Sequence, residues 1–231
     1  MNKSLNNHEV LYQVIEAISS LGIDELLTKV DLLVAKISTA DSTGIYTLDE
    51  QGQSVILRAS RLHFDIVGKL RMKIGEGITG WVAQYGKTVV VEKDAAKDSR
   101  FARVTGLPDD LYESFLSVPI KSGDVIVGVI NVKHKLPTHY SHDQVKLLEM
   151  VGKLIGRAIE HTELLEKTKT LEEAIATQKA MNRAKGMLME KFNISENEAY
   201  QIIRRQATKE RKPIRQVAEA VITSEQISDS T

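Results

Sequence analysis

The sequence predicts an α+β protein: an antiparallel sheet with helices packed on one face, joined by a long helix to a bundle of three helices. Three observations predict it. Runs with β-strand composition, linked by turn residues, recur between Asp41 and His134. A proline-free stretch of good helix formers extends from Ser141 to about Lys191. Three amphipathic stripes then follow one another between Met181 and Ile222.

Residues 8–38 read as two helices parted by "LGID". Val14, Ile15, Ile18 and Leu21 recur at helical spacing, as do Leu26, Leu27, Val30, Leu33 and Ile37. "DSTGIYTL" and "SVILRASRL" form a hairpin pattern around the turn-rich "DEQGQ". "IGEGITGWVAQYGK" places glycines on both sides of a short helical stretch around Trp81, and "TVVVE" is strand-like. "KDAAKDSRFARVTGLPDD" is a long polar connection. "SFLSVPIKSGDVIVGVINVKH" is two strands around a Ser-Gly-Asp turn.

Along the long helix, seven-residue spacing links Thr168, Ile175, Asn182 and Met189, and a second register links Leu164, Leu171, Gln178 and Lys185. Together they form an a/d seam, apolar early and polar late, which predicts a coiled-coil homodimer. After it, "ISENEAYQIIRRQATKE" opens with Ser195 and Glu198 in capping-box spacing and buries Ala199, Ile202, Ile203 and Ala207. "KPIRQVAEAVI" has Pro213 at its first turn and a stripe of Ile214, Val217, Ala218, Val221 and Ile222. The tail, residues 224–231, is expected to be disordered.

Composition narrows the function. With no cysteine among 231 residues, disulfides, thiolate zinc sites, cysteine nucleophiles and thioether-linked chromophores are excluded. No apolar run is long enough to span a bilayer, and the start "MNKSLNNHEV" is too polar for a secretory signal, so a cytoplasmic protein with no membrane partner is expected. Charge balances at 31 basic and 31 acidic residues, yet residues 181–223 hold nine basic and five acidic side chains, which hints at a polyanion partner. "GEGITG" lacks the lysine and serine of a phosphate loop, and no nucleophile–base–acid constellation stands out, so no catalysis is expected.

Gly186 interrupts a helix beside Arg183 and Lys185, at a cost of about 1 kcal/mol relative to alanine. The stripe Met181, Ala184, Met187, Leu188 and Phe192 faces the bundle, and Gly186 points away from it with Asn182 and Met189. The glycine therefore serves a contact made outside the bundle. The segment "RAKGMLMEKFNISENEAYQIIRRQATKERKPIRQVAEAVI" resembles the ANTAR domain, a three-helix RNA-binding module of bacterial antitermination regulators. The resemblance is carried by Ala184-Lys185-Gly186, Leu188-Met189, Ser195-Glu196, Glu198-Ala199-Tyr200, Arg204, Ala207 and Val217-Ala218. It implies binding to paired stem-loops in a nascent transcript, held against a competing terminator hairpin. The RNA-binding candidates are Arg183, Lys185, Gly186, Tyr200, Arg204, Arg205, Lys209 and Arg211. Arginine and lysine pair with phosphates, arginine also stacks on or forks to loop bases, and a tyrosine can stack a base. Arg205, Lys209, Arg211 and also Arg215 rest on charge alone; without the resemblance, Tyr200 reads more readily as a core-edge aromatic.

Residues about 20–160 resemble a GAF domain, a sensory module, through "GEGITGWVAQYGKTVVVEKDAAKDSRF" and "ESFLSVPIKSGDVIVGVINVKH". The resemblance implies a small-molecule signal without naming it. A covalent bilin is not expected without cysteine, and the cyclic-nucleotide signature Asn-Lys-Phe-Asp-Glu is missing. Trp81, Phe101 and Phe115 are candidate lining for a small pocket between sheet and covering loops, or ordinary core. In "HKLPTHYSH", His134, His139 and His142 have Asp143 as the one adjacent carboxylate, so no metal is expected; His63 falls after the second strand.

The resulting reading has a sensory domain with N-terminal helices (1–160), a coiled-coil linker (161–180) and an RNA-binding bundle (181–223). Two rivals stand beside it: a helix-turn-helix-like DNA-binding regulator using the last two helices, and a ligand-binding or dimerisation module without nucleic acid.

Overall fold

A computed structural model describes residues 7–103 and 112–228. The chain divides into two compact units, Met1–Thr162 and Glu163–Thr231. Part of the polar connection (104–110) and the last three residues of the tail lie outside the described residues.

The first unit is built on six antiparallel strands: β1 (Ser42–Leu48), β2 (Ser54–Ala59), β3 (Arg71–Lys73), β4 (Val89–Val91), β5 (Ser114–Ser122) and β6 (Val125–His134), in the spatial order β3-β2-β1-β6-β5-β4. The Ser-Gly-Asp turn joins β5 to β6, with Gly123 at φ 58°, a backbone state that glycine adopts without strain. Short β3 was not anticipated: three residues with charged ends leave no alternation to read.

Alternation decides which strand residues face which layer. Ile45, Leu116, Val118, Ile120, Ile130 and Val132 face α1 (Asn7–Ser20), α2 (Ile23–Ser38) and the start of α4 (His142–Phe192). Those helices contribute Val10, Val14, Leu26, Leu27, Val30, Leu147, Val151 and Ile155 to this core; Ile15, expected in the α1 stripe, is exposed. Tyr46, Phe115 and Val129 point the other way, against Ile78, Val82 and Ala83 of α3 (Gly77–Tyr85). The helices therefore cover both faces, not one. The glycines of "GEGITG" serve this packing: a Cβ on Gly80 would collide with the Lys73 carbonyl and sit 3.1 Å from Gly75 N.

Helix α4 seats on β5 through two glycines one turn apart. A Cβ on Gly152 would lie 2.7 Å from Pro119 O, and one on Gly156 would lie 2.5 Å from the Lys121 carbonyl carbon. Side chains fasten the same surface: the Thr88 hydroxyl donates to Glu149, and the Ser122 hydroxyl donates to Glu160. The helix then continues without interruption to Phe192, as the proline-free sequence predicts.

The second unit contains the C-terminal part of α4, α5 (Glu196–Glu210) and α6 (Ile214–Ser228). The last helix continues past residue 223, so residues 224–228 are helical where a disordered tail was expected. Its core is Met181, Ala184, Leu188, Ala199, Ile203, Ala207, Val217 and Ala218.

Candidate nucleic-acid interface

The corners of the three-helix unit are set by local chemistry. Asn193, left-handed at φ 51°, ends α4. Ser195 caps α5: its hydroxyl accepts from Glu198 N, while the Glu198 carboxylate accepts from Ser195 N at 2.9 Å, completing the capping box. The Ser195 hydroxyl also donates to the Glu198 carboxylate at 2.7 Å, and this bond, with the one from Ser195 N, holds the Glu198 carboxyl below its ordinary range. Arg211 ends α5 in a left-handed conformation, its N–H reaching the Ala207 and Thr208 carbonyls. Pro213 stands just before α6, its carbonyl accepting from Gln216 and Val217 N–H groups.

This frame sorts the candidate cations. On α5, Tyr200 and Arg204 are one turn apart on one flank of the buried stripe, and Arg205 and Lys209 are one turn apart on a neighbouring column about 100° away. All four are exposed, and Arg211 is exposed at the end of the helix. On α4, Arg183 and Lys185 are two residues apart, which at 3.6 residues per turn puts them on nearly opposite sides. Arg183 is exposed; Lys185 lies along the flank facing α5 with only 13% of its side chain exposed, its ammonium 2.6 Å from Glu196 Oε1. The structure does not place these two cations on one surface.

Ion pairing sorts them again. Lys185 pairs with Glu196, Lys212 with Glu210 and Arg215 with Glu219. Among the described residues, Arg183, Arg204, Arg205, Lys209 and Arg211 have no carboxylate partner; Arg205 Nε donates only to the Gln201 carbonyl, at 3.4 Å. Four of these five cations, Arg204, Arg205, Lys209 and Arg211, lie on α5 and at its C-terminal end, exposed and open to an anion. Glu196, which neutralises Lys185, was not foreseen. Eleven residues separate the pair, and only the bend at Asn193 brings them together.

Apolar expectations shift in three places. Ile202 and Phe192, both assigned to the buried stripes, are exposed, Phe192 at 57%. Ile202 is one residue, about 100°, from Ile203 at the centre of the stripe. Phe192 is the last residue of α4, and the chain turns at Asn193 before any element covers it. Tyr200 is also exposed, so its ring is available for stacking.

Gly186 is exposed, and a Cβ there would meet nothing within 4 Å. Nothing inside the unit requires it. Upstream on the same helix, Leu164, Leu171 and Ile175 are exposed, Leu171 at 63%, and Gln178 donates to Asn182 at 3.0 Å. Leu164, Leu171 and Ile175 thus form a solvent-facing stripe in the single chain, whereas Lys185, at the end of the expected seam, is turned toward α5.

In the first unit, Trp81, Phe101 and Phe115 converge on the apolar layer shared with α3. Trp81 is held between Tyr85, with ring centroids 4.8 Å apart, and the Arg100 guanidinium, which sits 5.1 Å from the ring centroid and is clamped by two bonds to Asp98. Beside them is a buried polar chain that sequence reading missed. Ser117 donates to Asn131 Oδ1, and Asn131 Nδ2 donates to Thr79, both at 2.7 Å. Burial pushes the Tyr46 hydroxyl well above its ordinary pKa, against the opposing effect of its hydrogen bond to Asn131. The available signal was the pair Ser117 and Asn131, polar residues at facing positions of otherwise apolar strands. The three histidines do not converge: His134 is buried between Tyr140 and the Ser38 carbonyl, and His139 pairs with Glu92. Among the described residues no group of three or more His, Asp or Glu is placed to hold a metal ion.

Two family models match separate parts of the chain. The family model described as the GAF domain matches residues 20–160, and that of the ANTAR domain matches residues 169–222. The Nif-specific regulatory protein of Azospirillum lipoferum is 30% identical over 168 residues, covering 69% of this chain and 27% of that protein. This chain thus spans less than a third of the length of the Nif-specific regulators it matches. The aliphatic amidase regulator of Pseudomonas aeruginosa is 39% identical over 66 residues, 29% of this chain and 34% of that one. Among solved structures, the GAF domain of the Acinetobacter phosphoenolpyruvate-protein phosphotransferase superposes with a TM-score of 0.63 at 29% identity, covering 69% of this chain and 97% of that one. The corresponding domain from Coxiella burnetii gives 0.65 at 20% identity, covering 72% and 99%. No helix among the described residues is long and apolar enough to cross a membrane. The chain therefore belongs to the GAF domain family through residues 20–160, and it carries an ANTAR domain at residues 169–222.

Proposed function

We propose that this protein is a signal-responsive antitermination regulator that acts in the cytoplasm, without catalysis, by binding paired stem-loops in nascent RNA. The observation that carries the reading is the set of cations without carboxylate partners on α5 and at its C-terminal cap, Arg204, Arg205, Lys209 and Arg211, within the segment matched as an ANTAR domain. Phosphates satisfy such cations, and Tyr200 on the same flank as Arg204 offers a face to a splayed loop base. The GAF domain supplies the sensor, and a small molecule is its signal; the α3 layer with Trp81, Phe101 and Phe115 is where we place it.

The helix-turn-helix reading fares worse on charge. A recognition helix in the major groove needs cations for phosphates and base edges. α6 carries one basic residue, Arg215, and it is tied to Glu219 at 2.7 Å. A gel shift tests the choice, using an RNA with two adjacent small-loop hairpins against duplex DNA of equal length. Preference for the RNA is expected; preference for the duplex restores the rival reading.

The protein acts as a homodimer in this account. Leu164, Leu171 and Ile175 form an exposed stripe at heptad-compatible spacing, which a parallel second copy would cover, with Asn182 fixing register. Gly186 and Met189 continue that stripe, and a bare Gly186 lets the partner helix approach. Leu171→Asp together with Ile175→Asp should give a monomer in sedimentation analysis; an unchanged dimer rules out the seam.

A further inference from the structure

Lys185 differs from the other candidate cations in being already occupied. Its side chain is largely covered, while Glu196, which binds its ammonium at 2.6 Å, is 69% exposed. The carboxylate thus lies on the solvent side of the pair. Lys185 holds the Glu196 carboxyl below its ordinary range through that hydrogen bond and its charge. Glu196 is not needed to cap α5, because Ser195 and Glu198 make the capping box between them.

From this arrangement we infer that Glu196 is an intramolecular competitor for RNA phosphate at Lys185. The inference rests on the reading of this unit as an RNA-binding module. In free protein the carboxylate holds the charge of Lys185. Bound RNA replaces the carboxylate with a phosphate oxygen, and the energy lost from the Lys185–Glu196 pair is subtracted from the affinity. Glu196 therefore raises the threshold for binding. An RNA that places a phosphate at Lys185 must displace it, while an RNA that meets only the α5 cations leaves the pair closed.

The test is a double-mutant cycle on the full chain with Glu196→Gln, Lys185→Ala and both together. Affinity for the two-hairpin RNA is measured by gel shift and folding by circular dichroism. Glu196→Gln keeps the size and removes the charge. It should bind the RNA about fivefold more tightly, because Lys185 then meets the phosphate without first giving up a carboxylate. That gain should vanish in the Lys185→Ala background. Equal or weaker binding by folded Glu196→Gln, with wild type binding normally, would show that the pair only clamps α4 to α5 and would overturn the inference. A gain that persists without Lys185 would overturn it as well, since Glu196 would then act through general repulsion. Failure of the wild type to bind any RNA would remove the underlying reading and the inference with it.

Discussion

Gly156→Ala is expected to destabilise the first unit by about 3 kcal/mol, the upper part of the usual range for forcing a methyl into a filled space. At the size of this unit that is a fall of roughly 6–12 °C in melting temperature. The added Cβ would drive into the Lys121 carbonyl group, backbone that cannot swing aside as a side chain would. The pairing of β5 with β6 shifts register at Ile120 and Lys121, so the obstructing carbonyl lies at the irregular point of the sheet. To relieve the clash, α4 must lift off β5 and loosen Ile155 and Val151 from the core. The single tryptophan, Trp81, belongs to this unit, so its fluorescence follows this unfolding. Gly186→Ala on the same helix is the control. Its Cβ meets nothing within 4 Å, and alanine should strengthen the helix by up to about 1 kcal/mol. Equal melting temperatures for Gly156→Ala and wild type would mean that α4 is not seated on β5 as described.

Arg204→Ala and Arg211→Gly are each expected to weaken RNA binding about tenfold, and each should lower the slope of log affinity against log salt by nearly one. Arg204 stands without an acidic partner on the flank it shares with Tyr200, so its removal takes a contact from the ligand and none from the fold. Arg211 offers a sharper separation. It occupies the left-handed position that ends α5, at φ 53°, where glycine is the favoured residue. Arginine there costs roughly 1 kcal/mol of backbone strain. Arg211→Gly should therefore raise the melting temperature while it lowers RNA affinity. A residue kept only for structure would not move the two in opposite directions. If affinity is unchanged in both variants, the α5 cations are a solvated helix face and the site assignment is lost.

The architecture was legible because its signals are local. The 3.6 period of α4, the Ser195–Glu198 capping box and the Ser122-Gly123-Asp124 turn each depend on residues within a few positions of one another. What the sequence concealed depends on contacts between distant residues. Ile202 has the composition of a core residue, and whether it is buried depends on where α4 and α6 lie around α5. Arg183 and Lys185 look like one basic cluster until helix geometry separates them and Glu196 claims one of them. The Ser117–Asn131–Thr79 chain needs β5, β6 and α3 assembled before its hydrogen bonds exist. The nine-to-five basic excess in residues 181–223 pointed to an anion partner, but the paired and unpaired cations that define the candidate surface were readable only from the fold.

In the proposed function, the α5 surface holds an RNA form that lets transcription continue. Single-round transcription of a template encoding two adjacent small-loop hairpins, the second overlapping a terminator, tests it most directly. The full chain should increase read-through, and Arg204→Ala should reduce the increase at equal protein concentration. Termination that stays unchanged with a protein that binds the hairpins, or read-through that is indifferent to Arg204, would contradict the account.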